Sequence, residues 1–137
     1  MTNNTWYPIL LTGSPTRYVT DFIYLGQRVS FDRNPAIEIS RRISAAWGSF
    51  NRFFTKRSVG MDLKRHLFTS CVKPAMLYRS ETWALRLTDR KRFGVTQRKM
   101  MRKMAGVTLL DHRTNEWLYS TVSIPDVLVR AMERKRE

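Results

Sequence analysis

Residues 63–83 read LKRHLFTSCVKPAMLYRSETW and carry a helical pattern that is apolar on nearly every side. On a helix, one arc would hold Leu63, Leu67, Cys71, Pro74 and Tyr78. The other sides of its second half would hold Phe68, Val72, Ala75, Met76 and Leu77. Such a helix has to be enclosed by the rest of its domain, and Pro74 lacks a backbone donor, so we expect a kink there. The pattern predicts a central helix against which amphipathic neighbours pack.

The first neighbour is a helix predicted over residues 35–54. Asn34 is a good N-cap and Pro35 is a good first helical residue. We interpret its apolar face as core rather than as a surface for stacking bases. That face consists of Ile39, Ile43, Ala46, Trp47, Phe50, Phe53 and Phe54. The cations outside it are Arg41, Arg42 and Arg52, and a linker then carries Lys56 and Arg57.

A second basic helix is predicted from its N-cap Thr88 to Ala105, and Gly106 is its stop. Its inner side consists of Phe93, Gln97, Met100, Met101 and Met104. Its outer side consists of six cations, Lys91, Arg92, Arg98, Lys99, Arg102 and Lys103. A solvated face usually mixes signs, and the apolar side is narrow for a membrane-surface helix. We favour a face that contacts phosphates, with a solvated or partner-binding face as the alternative.

The ends of the chain complete the predicted fold. Residues 1–33 are β-like: Gly13-Ser14-Pro15 indicates a turn, and residues 18–30 indicate one or two short strands. Gly26 interrupts that run, and we favour a simple turn over the close approach of a nucleic-acid strand. After Gly106, residues 114–121 and a segment opening at Ile124 predict two short helices. The fold class is mainly α, with an N-terminal β-hairpin in residues 1–33 and a bundle of four to five helices in residues 34–137.

Composition points to an anionic partner. The 137 residues carry 25 Lys and Arg against 11 Asp and Glu, a formal charge of +14. Nucleic acid is the commonest partner of so basic a domain, and a basic domain that binds protein is the alternative. Cys71 is the single cysteine, interpreted as a buried structural thiol in a reducing compartment. With no signal peptide or membrane span expected, we predict a nuclear or cytoplasmic location.

The sequence contains no recognisable active site. No two acidic residues adjoin, so carboxylates that could hold two metal ions are not indicated. There is no glycine-rich phosphate loop. The two histidines, His66 and His112, are far apart along the chain, and we interpret His66 as a structural or boundary residue instead of a metal ligand. We therefore predict no catalytic residue, no metal site and no cofactor in this chain.

Three stretches together resemble a known family. These stretches are FIYLGQRVS at residues 22–30, EISRRISAAWGSFNRF at residues 38–53, and residues 63–83. They resemble the reverse transcriptase, or endonuclease-reverse transcriptase, of LINE-type non-LTR retrotransposons, in the part that follows the catalytic palm. The resemblance covers roughly residues 12–105. It implies that Tyr24, Leu25 and Gly26 belong to a primer-grip hairpin and that the helices form a thumb.

The resemblance also implies a nucleic-acid partner and the absence of polymerase activity. A thumb holds the template–primer duplex by its backbone, so an RNA–DNA hybrid or template–primer duplex is the expected partner. The family polymerises with magnesium at a Tyr/Phe-x-Asp-Asp motif that this chain does not contain. We therefore expect an inactive fragment or decayed copy. The predicted nucleic-acid-binding residues are Arg41, Arg42, Arg52, Lys56, Arg57, Lys91, Arg92, Arg98, Lys99, Arg102 and Lys103.

Two other interpretations remain open. The chain could be a relic without function, which folds partly and exposes Trp6, Trp47 and Phe54 to aggregation. It could also be a small basic module that recruits an acidic protein. The oligomeric state is open in all three cases.

Overall fold

The computed structural model describes residues 9–30, 35–54, 59–78, 80 and 85–129. The chain divides into two compact units, Met1–Asn34 and Pro35–Glu137. The described part has β-structure only in the first unit and is helical in the second. The predicted mainly helical fold with short N-terminal strands is thereby confirmed. None of the helices in the described ranges is long and apolar enough to cross a bilayer.

In residues 9–30, the described part of the first unit, there are two antiparallel strand pairs instead of the single predicted hairpin. Strands β1 (Leu10–Leu11) and β2 (Ser14–Pro15) are joined by Thr12 and Gly13, with φ values of 50° and 83°. Two central residues at positive φ match the tight hairpin turn whose twist suits the flanking strands. The turn predicted at Gly13-Ser14-Pro15 is therefore shifted, because Ser14 and Pro15 already belong to a strand.

The second strand pair has the same kind of turn. Strands β3 (Asp21–Tyr24) and β4 (Gln27–Ser30) flank Leu25 and Gly26, with φ values of 46° and 75°. Asp21 pairs with Ser30 and Tyr24 with Gln27 in the register of the ladder. The simple turn predicted at Gly26 is confirmed. Glycine adopts a positive φ without steric cost, whereas Leu25 adopts it against its preference.

Helix α1 spans Pro35–Phe54, and these bounds confirm the prediction. Its buried side chains include Ile39, Ala46 and Phe50. The Phe50 ring stacks on Phe54 at 4.3 Å between centroids and meets Trp47 edge-on at 5.5 Å. Trp47 and Phe54 are partly buried against the core. The expectation that a relic would expose them is wrong for these two residues, and Trp6 lies outside the described residues.

The central element is less enclosed than predicted. It consists of α2 (Met61–Leu67), a π-helical turn (Phe68–Val72) and α3 (Lys73–Leu77). One face alone is buried, and it consists of Phe68, Val72, Met76 and Leu77. The predicted arc is the outer one, since Leu63 is 52% exposed and Tyr78 is 45% exposed. One stripe recurring every four residues is enough to fill the space between α1 and α4, so enclosure on every side was a wrong prediction.

The irregularity predicted at Pro74 occurs in the turn before it. The N–H of Lys73 donates to the carbonyl of Phe68, five residues back, instead of four. Proline has no N–H to donate, and its ring would clash with the carbonyl four residues earlier in a regular helix. The wider π turn directly before Pro74 relieves that conflict.

Helix α4 spans Leu87–Ala105 and contributes Phe93, Met100, Met101 and Met104 to the core. The predicted inner side is thus confirmed. The N-cap is Arg86, not the predicted Thr88, because the Asp89 carboxylate accepts the Arg86 N–H at 3.3 Å and holds the helix start two residues earlier. Gly106 ends the helix with φ of 72°, as predicted.

The chain after α4 folds back onto the bundle. A 3₁₀ turn (Leu109–Asp111) precedes α5 (Asn115–Val122), whose N-cap Thr114 accepts the N–H of Trp117 at 3.1 Å. The predicted short helix at residues 114–121 is thereby confirmed to within one residue at either end. Residues 127–129 are helical where the description ends, as predicted for a helix after Ile124.

Gln97, on the inner side of α4, is fully buried and holds this last segment. Its amide nitrogen donates to the carbonyl of Pro125 at 2.9 Å, and its amide oxygen accepts the N–H of Val127 at 3.0 Å. One side chain thus satisfies the N–H of the buried Val127 and also binds the carbonyl of the exposed Pro125.

Candidate nucleic-acid interface

The outer side of α4 carries cations that no nearby carboxylate neutralises. Lys91, Arg92, Lys99 and Lys103 are exposed, and Arg98 and Arg102 are half-buried. The one acid of the helix, Asp89, is only 4% exposed and turns toward the backbone of Arg86. Within the described residues, none of these six cations forms an ion pair. Four of the six are thus exposed and two half-buried on the side of α4 opposite its core residues, and the role of all six in binding remains a prediction.

Neutral partners orient three of the six. Arg92 donates to the Ser40 hydroxyl at 2.8 Å, and Arg102 donates to the Asn115 side-chain oxygen at 3.1 Å. The Lys103 ammonium lies 5.1 Å from the centre of the Trp47 ring. Hydrogen bonds to neutral groups and a contact with an aromatic ring position these charges without cancelling them. The face therefore retains its positive potential.

The C-terminal half of this face borders a groove of about 450 Å³. Four cations line one part of it: Arg98, Lys99, Arg102 and Lys103. Its apolar lining consists of Trp47, Val95, Val107 and Leu109. Thr108 and Asn115 are its two neutral polar residues, and no acidic side chain lines it. The groove thus combines four cationic side chains with four apolar ones, and we refer to these four apolar residues as its apolar floor.

A capped turn carries Leu109, one residue of the apolar floor. Gly106 ends α4, and the chain reverses into the 3₁₀ turn, where Leu109 is left 74% exposed. The Asp111 carboxylate accepts the Thr108 N–H at 2.6 Å and the Thr108 hydroxyl at 2.9 Å. These two hydrogen bonds, the backbone one first, hold the pKa of Asp111 below its ordinary value. The turn is therefore closed by an ionised carboxylate.

The cations of α1 are placed differently. Arg42 is 8% exposed, and its Nε lies 2.6 Å from the Glu38 carboxylate. Its guanidinium also lies 4.6 Å above the centre of the Tyr78 ring. Arg41 pairs with the other oxygen of Glu38 at 3.3 Å. The predicted outward placement of Arg42 is wrong, because an acid one turn away and an aromatic ring draw it inward.

The remaining predicted residues divide between two regions. Arg52 is exposed at the end of α1, while Lys56 and Arg57 lie outside the described residues. Tyr24 and Leu25 are 60% and 64% exposed in the hairpin of the first unit, beside Gly26. The primer-grip assignment of these three stays a prediction.

Two cations of α2 have structural roles that the sequence analysis missed. The Lys64 ammonium donates to the carbonyl of Met104 at 3.0 Å, at the end of α4. The Arg65 guanidinium donates to the carbonyls of Val122 and Thr121 at 2.7 and 3.2 Å, at the end of α5. Helix C-termini present unpaired carbonyls and partial negative charge, which cations satisfy. No local signal could reveal these contacts, because they join residues 40 and 57 positions apart.

The described residues contain no group of three or more His, Cys, Asp or Glu side chains that could hold a metal ion. His66 is exposed, and Cys71 is half-buried instead of enclosed as predicted.

The groove residues Val95, Val107 and Leu109 were not predicted either, since they become neighbours only when the chain reverses after Gly106. With four cations and no acidic side chain in its lining, the groove is suited to binding an anionic partner.

One comparison with known proteins finds a relative. The chain is 33% identical over 100 residues to an uncharacterized transposon-derived protein of Caenorhabditis elegans. The aligned region covers 72% of this chain and 36% of that protein, so the chain spans little more than a third of its length. No family model matches the chain, and no solved structure matches it.

Proposed function

We propose that this chain derives from a transposable element and binds nucleic acid through contacts of α4 with phosphates. The observation that carries the proposal is the outer side of α4, where six cations stand without an acidic partner in the described structure. The relative described as transposon-derived supports the origin. Binding of this kind would take place in the nucleus or cytoplasm.

The geometry of α4 suits a polyanion. Lys91 and Lys103 are twelve positions apart on one helix, which is about 18 Å at 1.5 Å per residue. Several phosphates fit along that distance, and each one neutralised by Lys or Arg releases condensed counterions. Phosphate contacts fix the position of a protein on its nucleic acid and carry no sequence information. The proposed binding therefore depends on charge and shape, without base readout.

The finer proposal is a thumb of a LINE-type reverse transcriptase that contacts an RNA–DNA hybrid. It rests on the resemblance of residues 22–30, 38–53 and 63–83 to that family. The magnesium of the family does not fit this chain, because the described residues offer no group of acidic side chains to hold it. We assign no step of polymerisation to this chain.

Binding of a labelled RNA–DNA hybrid across a salt series tests the proposal. The test variant changes Arg98, Lys99, Arg102 and Lys103 to Gln. A control changes three arginines that neither line the groove nor belong to the predicted nucleic-acid-binding residues, Arg17, Arg86 and Arg113, to Gln, and its slope is compared per charge removed. Each phosphate contact contributes about −0.9 to the slope of log K against the logarithm of the salt concentration. With four cations removed, the slope of the test variant should be less negative than that of the wild type by up to about 3.6. Equal slopes for the wild type and the test variant would contradict the proposal.

The first unit favours a second candidate, a relic without function. Its described large apolar side chains are exposed: Ile9, Leu10, Leu11, Tyr18, Val19, Phe22, Ile23, Tyr24, Leu25 and Val29. Exposed apolar patches and strand edges favour aggregation. This candidate predicts weak hybrid binding that is alike in both variants, binding of a dye for exposed apolar surface, and unfolding of low cooperativity. Affinity for acidic peptides without affinity for hybrids would instead indicate a protein-recruiting module.

A further inference from the structure

Phosphate binding explains the cations of the groove but not its apolar floor. Val95 and Leu109 remain 42% and 74% exposed there, beside four cations. We propose that the groove binds one unpaired nucleotide of a single-stranded end, with the base on the apolar floor and the flanking phosphates on the cations. The proposal rests on the proposed nucleic-acid binding and names the part of the ligand that the groove takes.

Charge complementarity selects the class of ligand. Four cations and two neutral hydrogen-bonding residues, Thr108 and Asn115, line the groove, and no carboxylate does. The ligand therefore combines negative charge with an apolar or aromatic surface. An unpaired nucleotide has both, since its base exposes a π-face that stacks on apolar and aromatic side chains. A duplex hides its base faces and would leave the floor uncovered.

The spacing of the cations suits two consecutive phosphates. Arg98 and Lys99 lie one helical turn before Arg102 and Lys103. Four residues of helix advance by about 6 Å, which is comparable to the separation of neighbouring phosphates in a single strand. Each pair of cations can therefore contact one phosphate, with the base between them directed toward Val95 and Leu109.

The size of the groove limits the occupant. Its volume of about 450 Å³ falls in the range of pockets that hold one small molecule. An acidic amphipathic helix also combines charge and apolar surface, but it needs a row of apolar sites over two or more turns. The floor offers three aliphatic side chains for contact with one base, since the Lys103 ammonium already lies over the Trp47 ring. A single nucleotide fits these dimensions better.

The test compares three RNA–DNA hybrids with the full chain. One hybrid is blunt, one has a single-stranded 3′ overhang, and one has an overhang of equal length without bases. The abasic overhang keeps the added phosphates and removes the stacking surface. We expect the overhang with bases to bind about fivefold more tightly than the abasic one, and the blunt and abasic hybrids to differ only through charge.

A double variant, Val95→Ser with Leu109→Ser, removes the apolar floor and leaves every cation in place. Its matched control is Leu87→Ser with Leu110→Ser, because both leucines are exposed, at 74% and 83%, and neither lines the groove. The advantage of bases over the abasic overhang should disappear in the first variant and persist in the control. Thermal unfolding of both variants shows whether the fold is retained.

The outcomes separate the two proposals. If hybrids bind in a manner that depends on α4 but the overhang with bases binds like the abasic one, the nucleotide site is overturned and phosphate binding stands. An advantage of bases that survives Val95→Ser with Leu109→Ser also overturns it. If no hybrid binds, the proposed function fails and the nucleotide site fails with it. Displacement of the overhang by a short acidic amphipathic peptide at equal concentration would identify a protein-binding groove instead.

Discussion

Helices α1 and α4 both carry basic residues outside an apolar face, but their cations are placed in opposite ways. In α1, Glu38 lies one turn before Arg41 and Arg42 and pairs with both. In α4, Asp89 turns to the start of its own helix and leaves the cations without an acidic partner among the described residues. The position of the acid, more than the number of cations, separates an internal ion pair from a binding face.

The largest effect should come from Glu38→Gln. The pair of Glu38 and Arg42 is buried, at 7% and 8% exposure. Removing one partner of a buried pair leaves the other charge uncompensated and costs about 3 kcal/mol. Urea denaturation should show that loss in the free energy of unfolding. Lys99→Gln, on the exposed side of α4, is the control and should change it by less than about 0.5 kcal/mol. An equal loss of stability for both substitutions would contradict the difference between the paired cations of α1 and the exposed cations of α4.

The inner side of α4 provides the next effect. Gln97→Leu keeps a side chain of similar size but leaves the carbonyl of Pro125 and the N–H of Val127 without their partner. The N–H of Val127 is buried, and leaving it unsatisfied should lower the free energy of unfolding by about 2 kcal/mol. Hybrid affinity, measured where the variant is folded, should stay unchanged. A loss of affinity without a loss of stability would show that the division of α4 into a structural and a binding side is incorrect.

These two predictions concern residues whose roles were predictable to different degrees. The bounds of α1 follow from Pro35 and one apolar stripe, and the inner side of α4 follows from its periodicity, because both signals are local. Arg42 was misplaced because a helical pattern shows the angle of a side chain and not the reach of a long one toward Glu38 and Tyr78.

The groove was not predictable because its parts are distant in sequence. Trp47 comes from α1, Val95 from α4, and Leu109 from the turn after Gly106. In the sequence, Trp47 belongs to the apolar face of a helix, Val95 is a single apolar residue within a helix, and Leu109 lies in a turn, so none of them indicates a site. Only the packing of α1 on α4 and the reversal at Gly106 bring them together. The cations could be predicted, and the apolar floor beside them could not.

Changing Arg98, Lys99, Arg102 and Lys103 together to Gln should raise the free energy of unfolding, whereas the two substitutions above should lower it. Like charges four residues apart destabilise a helix by about 0.2–0.5 kcal/mol per pair, and the segment contains two such pairs, Arg98 with Arg102 and Lys99 with Lys103. The free energy of unfolding should therefore rise by up to about 1 kcal/mol at low salt and by less at high salt, where charges are screened. A lower stability would mean that these cations hold the bundle as those of α1 do.

The smallest effect concerns the turn that carries Leu109, a residue of the groove. Its Asp111 has a pKa below the ordinary 3.8, because the N–H and then the hydroxyl of Thr108 donate to the carboxylate. A lowered carboxyl pKa means that the carboxylate favours the folded turn. Its contribution is present above the ordinary value and is lost as the pH falls through the lowered pKa.

NMR titration of the Thr108 amide between pH 2 and pH 5 measures this effect directly. The amide signal should follow the ionisation of Asp111, with a midpoint below 3.8. In Asp111→Asn that titration should vanish, because the carboxamide does not ionise in this range, while its oxygen can still accept a weaker hydrogen bond from Thr108. Since the turn stays closed by that weaker bond, the preference of the groove for an overhang with bases should fall only slightly at neutral pH. A midpoint at or above 3.8 would show that the turn is open in solution, and Leu109 would then have no fixed position beside the cations of α4.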